Sequence, residues 1–221
     1  MWLEAALLLV ALGAALAAQP WRMLASRTPL AHESHGTPSV LWTPLLATLV
    51  LLPWLWALPS LHAMPLQLQW SGACLVVLML GWPLAVLVLL AVGTLAGLIA
   101  DMGWEQALAL TVWLGLAPAT LALLLGTLLR RFTGERMFVY ILGRAFIGTA
   151  LCGFAASVLA QALGQGLPGV APGLSLVAHW LMAWGDAIVT GMLAAVFVAF
   201  KPEWLATWSD RLYLRSPPHG R

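Results

Sequence analysis

Seven apolar stretches dominate this sequence and leave few folds open to it. They cover residues 2–18, 40–61, 69–81, 83–100, 104–130, 137–163 and 175–200. Most are long enough to cross a hydrocarbon core of about 30 Å as helices, which takes roughly 20 residues. The chain is 62% hydrophobic and only 8% charged, which is too few charges for a water-soluble surface. The stretches are continuous rather than alternating, so the prediction is an all-α bundle of about seven transmembrane helices.

The third stretch, 69–81, is the short one. Its thirteen residues would reach only about 20 Å as a helix. The sequence Gly81-Trp82-Pro83 follows it, and a proline favours the first turn of a new helix while disfavouring helix in the residue before it. The range 69–100 is therefore expected to form either one kinked helix or a tight helical hairpin.

The placement of the basic residues predicts the orientation in the membrane. With seven crossings and a cytoplasmic C-terminus, nine of the ten Lys and Arg residues lie on the inner side, and the outer loops near 62–68, 101–104 and 164–174 carry none. Six crossings would place the segment 19–38 and the "RRFTGER" loop on opposite faces. The positive-inside rule thus favours an outer N-terminus and a cytoplasmic C-terminus.

The chain is expected to be a single membrane domain, 1–221, with a cytoplasmic tail at about 203–221. The first stretch has no Lys or Arg before it and carries Glu4, which is unlike a signal peptide and predicts a retained first helix. A net charge of +2 gives no reason to expect a nucleic-acid partner, whereas the apolar surface predicts contact with the lipid bilayer. No motif for nucleotide binding or catalysis is present, so an enzyme is not expected.

The last stretch contains "HWLMAWGDAIVTGM", with a histidine and an aspartate inside an apolar helix. His179 and Asp186 are seven residues apart, nearly two turns, so they share a face with an axial gap of about 10 Å. Met182 and Thr190 lie close to the same stripe. Ionisable groups within a membrane usually face the bundle interior. We therefore expect this stripe to line one cavity at two depths.

Arg144, in "VYILGRAFIG", is the other charge inside an apolar stretch. An ion pair between Arg144 and Asp186 across neighbouring antiparallel helices is the hypothesis. Such an ion pair would either take part in handling a substrate or a proton, or only fix the register of the two helices.

The predicted outer face carries soft ligands. Beside the N-terminal amine they are His62, Met64, Gln69 and His179. Amine, imidazole and thioether groups suit nickel, cobalt or copper. His62, Met64 and His179 are therefore candidate metal ligands, with a purely interfacial role for His62 and Met64 as the alternative.

Four stretches point to a known family: "LMLGWPLAVLVL", "RMFVYILGRAFIGTAL", "WGDAIVTGML" and "KPEWLATWSDRLYL". Through them the chain resembles, over about residues 65–215, a divergent subgroup of the cobalt/nickel substrate-binding subunits of energy-coupling-factor transporters, the CbiM/NikM type. The resemblance implies a seven-helix subunit of the inner (plasma) membrane that works with a transmembrane coupling subunit and cytoplasmic ATPases.

The resemblance also implies a metal site, and this sequence departs from it. Metal-binding members use the N-terminal amine, a histidine at the second position and a histidine three residues before a glycine, whereas this chain has Trp2 and Gln69 at those positions. His179 and Asp186 match the late-helix histidine and acid of the family, where the acid is usually glutamate.

Two functions follow as hypotheses. One is the substrate-binding component of an uptake transporter for a nickel- or cobalt-class ion or its complex, with the cavity lined by His179, Met182, Asp186, Thr190, Arg144 and Gln69. The other is a non-transporting membrane interaction or scaffold subunit, in which the intramembrane polar residues are structural.

Overall fold

The computed structural model describes residues 2–21, 24, 40–61, 69–133, 136–165 and 171–208, and these ranges are helical with no strand. The helices are α1 (Trp2–Ala17), α2 (Trp42–Leu61), α3 (Ala73–Leu80), α4 (Trp82–Ile99), α5 (Trp104–Leu110, Thr111–Leu116 and Ala117–Thr133 in succession), α6 (Val139–Ile147 and Gly148–Ala162) and α7 (Pro172–Phe200). A single 3₁₀ turn, Pro202–Trp204, follows α7. The predicted all-α fold with about seven helices is confirmed.

Five of these helices are long and apolar enough to cross a membrane, namely α2, α4, α5, α6 and α7. The first helix has 16 residues, which extend about 24 Å. It packs on α4 and α5, where Ala15 is buried with Val86, Val112 and Leu116. The remaining long helices pack in the spatial order α2, α4, α5, α6, α7.

The range 69–100 is a helical hairpin. The chain reverses at Gly81, whose φ of 74° and ψ of 156° suit a residue without a Cβ. Ser71 Oγ donates to the carbonyl of Leu114 at 2.6 Å, and the Leu89 side chain lies against the neighbouring Gly115. Ser71 and Leu89 are thus at one depth, whereas a continuous helix would separate them by about 27 Å.

Helix α3 occupies the centre of the bundle. All eight of its residues are buried, and it contacts helices α2, α4, α5, α6 and α7. Because it begins at mid-depth and spans only about 12 Å, its N-terminus lies inside the bundle rather than at a membrane surface. This placement brings the end of a helix to the interior, where it can serve a site.

The two ends of the bundle differ in charge. One end, which we call the basic end, carries Arg130, Arg131, Arg136 and Lys201. At this end Thr207 contacts both α3 and α5. Its N–H and its Oγ1 both donate to the carbonyl of Leu78 in α3, at 3.2 and 2.9 Å. Its own carbonyl accepts from the Arg130 side chain in α5 at 2.5 Å. The opposite end carries Asp101 and Glu105 and no described Lys or Arg.

Two of the long helices contain π-helical segments, Thr111–Leu116 in α5 and Val139–Ile147 in α6. Segments of this kind are uncommon and occur frequently at functional sites. The first one presents the Leu114 carbonyl that accepts the Ser71 hydroxyl, so it fixes the chain just before α3. The second one contains Arg144.

Candidate substrate cavity

A polar cavity of about 510 Å³ opens at the end of the bundle opposite the basic end. Its walls come from the residues before α3, from the first turns of α5, and from α6 and α7. The polar side chains in its lining are Ser60, Gln69, Asp101, Gln106, Ser157, Gln165 and His179, and Met102 and Met182 add thioethers. Neutral amides dominate, so the cavity offers hydrogen-bond donors and acceptors with little charge.

His179 lies on the α7 wall of this cavity and is half-buried. Its Nδ1 is 3.4 Å from Ser175 Oγ, one turn earlier in the same helix. A hydrogen bond at Nδ1 orients the imidazole and leaves Nε2 as the nitrogen that a ligand can reach. Met182, three residues further along, lies on the same face of α7 and on the same wall.

The cavity narrows toward the middle of the bundle. A small extension of about 40 Å³ shares Gln69, His179 and Met182 with the wider part and reaches Asp186. Ser71 and Gly153 also line it. One face of α7 therefore runs along a single tapering space, with the imidazole in the wide part and the carboxylate at its inner tip.

Asp186 is 5% exposed, and its partners come from two elements. Thr190 Oγ1, one turn later in α7, donates to Asp186 Oδ1 at 3.3 Å, and the backbone N–H of Gly72 lies close enough to interact with the same carboxylate. The Trp70 indole lies close enough to interact with the carboxylate but does not reach hydrogen-bond geometry. Asp186 thus meets the N-terminus of α3, where the helix dipole favours negative charge.

The segment just before α3 is held by three hydrogen bonds. Gln69 Nε2 donates to the carbonyl of Trp56 at 3.3 Å, and the Trp56 indole donates to the carbonyl of Ser71 at 3.0 Å. The third is the bond from Ser71 to Leu114. Gly72 has a φ of 63°, a left-handed conformation that glycine adopts without strain. These contacts fix the N–H groups that face Asp186.

Comparison with known protein families gives a match over most of the chain. The family described as "cobalt uptake substrate-specific transmembrane region" matches residues 2–204. The chain belongs to the CbiM family. Comparison with curated proteins and comparison with solved structures each give no match.

Membership of the CbiM family makes this chain a multi-pass membrane component of cobalt uptake that is specific for a substrate. The cavity is open at one end and lined with polar groups, which are features of small-molecule binding sites. Among the side chains singled out in the sequence, Gln69, His179, Met182 and Asp186 line it, and Thr190 adjoins it through its bond to Asp186.

The ion pair expected between Arg144 and Asp186 is not formed in this CbiM-family protein. The guanidinium of Arg144 packs against Gly126, where an added methyl group would lie within 2.8 Å of it, and its Cζ is 5.7 Å from the centre of the Tyr140 ring. Both neighbours lie toward the basic end. Phe146 contacts Gly191, so Arg144 lies about 10 Å further toward the basic end than Asp186.

The soft ligands expected at the outer face are only partly within the described residues. His62 and Met64 lie outside them, as does the N-terminal amine of Met1. Within the described ranges no three His, Cys, Asp or Glu side chains come together as a metal-binding group. The side chains that the cavity lining offers to a metal are one imidazole, two thioethers (Met102 and Met182), the Asp101 carboxylate and several amides.

Sequence reasoning missed Ser71, Gly72, Gln106 and Gln165. Ser71 and Gly72 act through the backbone conformation before α3. A Ser-Gly pair just before a short apolar run can indicate the start of a helix, and that signal could have revealed them. Gln106 and Gln165 lie at helix ends, where polar residues are common, so nothing in their sequence context distinguishes them.

Proposed function

We propose that this protein is the substrate-binding membrane component of an energy-coupling-factor type uptake transporter of the inner (plasma) membrane, and that its cargo is a transition-metal ion of the cobalt and nickel class bound within a small complex. The observation that carries this proposal is the tapering cavity with His179 and Met182 on one wall. Imidazole and thioether groups are suitable ligands for late first-row metals.

The size of the cavity supports a complex rather than a bare ion. A volume of about 510 Å³ lies within the range of small-molecule pockets. Gln69, Gln106 and Gln165 supply amide groups that can hydrogen-bond an organic ligand or the water shell of the metal. In this arrangement His179 Nε2 occupies one coordination position, and the other positions are filled by groups that the cargo brings with it.

The energy for uptake must come from other subunits. The sequence contains no nucleotide-binding motif, and the resemblance to energy-coupling-factor proteins implies a transmembrane coupling subunit and cytoplasmic ATPases. Such partners would act at the basic end, which the positive-inside rule predicts to face the cytoplasm. Co-purification of an ATPase pair with the tagged protein would support this assembly.

Metal analysis of the detergent-purified protein tests the proposal. We expect near-stoichiometric cobalt or nickel after growth with the metal, and a loss of most of it in His179→Ala. His35→Ala, in the polar segment 19–38, is the matched control and is expected to retain the metal. Absence of stoichiometric cobalt, nickel, copper and zinc from the wild-type protein would refute the metal-cargo proposal.

The second candidate function is a membrane interaction or scaffold subunit that transports nothing. One observation favours it: Asp186 already accepts a hydrogen bond from Thr190 and lies beside the Gly72 N–H, as a purely structural carboxylate would. Under this alternative His179→Ala would change neither metal content nor cellular metal uptake. The open polar cavity, which a scaffold does not need, favours the transport function.

A further inference from the structure

A second, larger groove lies along the side of the bundle, between α5 and α6, away from the polar cavity. It has a volume of about 650 Å³. Its lining is apolar apart from two residues near one end, Thr127 and Arg131; the apolar side chains include Leu121, Leu124, Leu128 and Ala155. None of the proposed transport chemistry uses this groove, so it requires an explanation of its own.

The groove is shorter than a bilayer is thick. Leu121 and Arg131 are ten residues apart on α5, which corresponds to about 15 Å, and on α6 the lining continues to Ala155, about 5 Å beyond the level of Leu121 because Gly148 packs against Leu125. The hydrocarbon core of a bilayer is about 30 Å thick. Because Arg131 lies at the basic end of the bundle, the groove extends about 20 Å from the headgroup level into the membrane and does not reach the opposite surface.

The charge at the mouth of the groove is accessible. Arg130 donates to the carbonyl of Thr207 and is thereby turned toward the protein. Arg131 is exposed, and the described residues provide it with no hydrogen bond or ion pair. The groove therefore has an apolar body and one solvated guanidinium at its membrane-surface end.

We propose that this groove binds an anionic phospholipid of the cytoplasmic leaflet, with one acyl chain between α5 and α6 and the phosphate at Arg131. An arginine binds phosphate oxygens through two parallel N–H donors, and basic pockets between transmembrane helices are known sites for anionic headgroups. This site is independent of the cargo and of the energy-coupling partners.

A transmembrane helix of another subunit fits the groove less well. Such a helix crosses the whole bilayer, whereas this groove covers only about two thirds of it. Helix–helix contacts in membranes favour small residues that let backbones approach, yet the groove is lined chiefly by leucines, of which Leu124 and Leu128 are 58% and 52% exposed. Branched apolar side chains along an open groove suit a flexible acyl chain.

Native mass spectrometry of the purified full-length protein tests the site with two probes, phosphatidylglycerol and phosphatidylcholine. We expect the wild-type protein to retain phosphatidylglycerol in preference to phosphatidylcholine. Arg131→Gln should weaken phosphatidylglycerol binding about five-fold, the effect of one basic residue near a headgroup. Arg136→Gln removes an exposed charge from the same end, outside the groove, and should leave binding unchanged.

Ala155→Phe provides a second variant, since the added ring occupies the groove. It should lower the retention of both lipids while the protein still elutes as a monodisperse species. Equal retention by the wild-type protein and Arg131→Gln would overturn the proposal. So would an Ala155→Phe variant that keeps its lipid but loses a co-purifying membrane subunit, because the groove would then be a protein interface.

Discussion

At the scale of single residues, Asp186 is the best-defined polar group of the cavity. Its carboxylate accepts from Thr190 in its own helix and faces the backbone N–H of Gly72 at the N-terminus of α3, and no arginine takes part. The hydrogen-bond acceptor, rather than the charge, is then what the fold requires at this position. This distinction can be tested by substitution.

Asp186→Asn keeps an oxygen that can accept from Thr190 and face the Gly72 N–H, so we expect the thermal stability in detergent to change little. Asp186→Leu has a similar size but leaves both donors unpaired, and we expect it to cost about 1–3 kcal/mol. Thermal unfolding of the two variants beside the wild-type protein makes the comparison. Equal destabilisation by Asn and Leu would show that the charge itself is needed.

The sequence predicted part of this site for a simple reason. His179, Met182 and Asp186 share a face by helical periodicity alone, and α7 is a regular helix across them. Arg144 could not be placed in the same way, because it lies within a π-helical segment that the sequence does not announce. A π turn holds more residues than an α turn, so it alters the direction in which later side chains point.

At the scale of secondary-structure elements, α3 is the unusual part of the fold. The short apolar stretch and Gly81-Trp82-Pro83 predicted a break, and the structure resolves the two alternatives in favour of the hairpin. The contacts that fix α3 at both ends could not be predicted. They join residues far apart in sequence, such as Ser71 with Leu114 at one end and Leu78 with Thr207 at the other.

Thr207 is expected to stabilise the basic end of α3. Its Oγ1 donates to the Leu78 carbonyl at 2.9 Å and lies 2.8 Å from the Tyr140 hydroxyl. Thr207→Val keeps the shape and removes both contacts, so we expect a loss of about 1–3 kcal/mol, measured by thermal unfolding. Thr94→Val is the control, because the exposed Thr94 hydroxyl bonds only within its own helix. Equal melting temperatures for the two variants would contradict this role of Thr207.

At the scale of the whole molecule, the charge distribution predicts which end of the bundle faces the cytoplasm. The basic end carries the exposed arginines and lysine, and the cavity opens at the other end. An uptake protein must receive its cargo from outside, so the orientation from the positive-inside rule and the direction of the cavity agree.

Cysteine labelling tests this orientation directly. The two native cysteines, Cys74 and Cys152, are buried, so single introduced cysteines can be followed. Asp101→Cys should react with a membrane-impermeant thiol reagent in intact cells. Arg136→Cys should react only after the membrane is permeabilised. Labelling in the reverse order would place the cavity mouth in the cytoplasm and would argue against capture from outside.

The central claim is that the cavity binds a transition-metal cargo through His179 and Met182. X-ray absorption spectroscopy at the cobalt edge, on the purified cobalt-loaded protein, tests it most directly. We predict imidazole scattering that disappears in His179→Ala and a sulfur contribution that disappears in Met182→Leu. A cobalt spectrum that is identical in the wild-type protein and both variants would show that the metal binds elsewhere and would contradict this account.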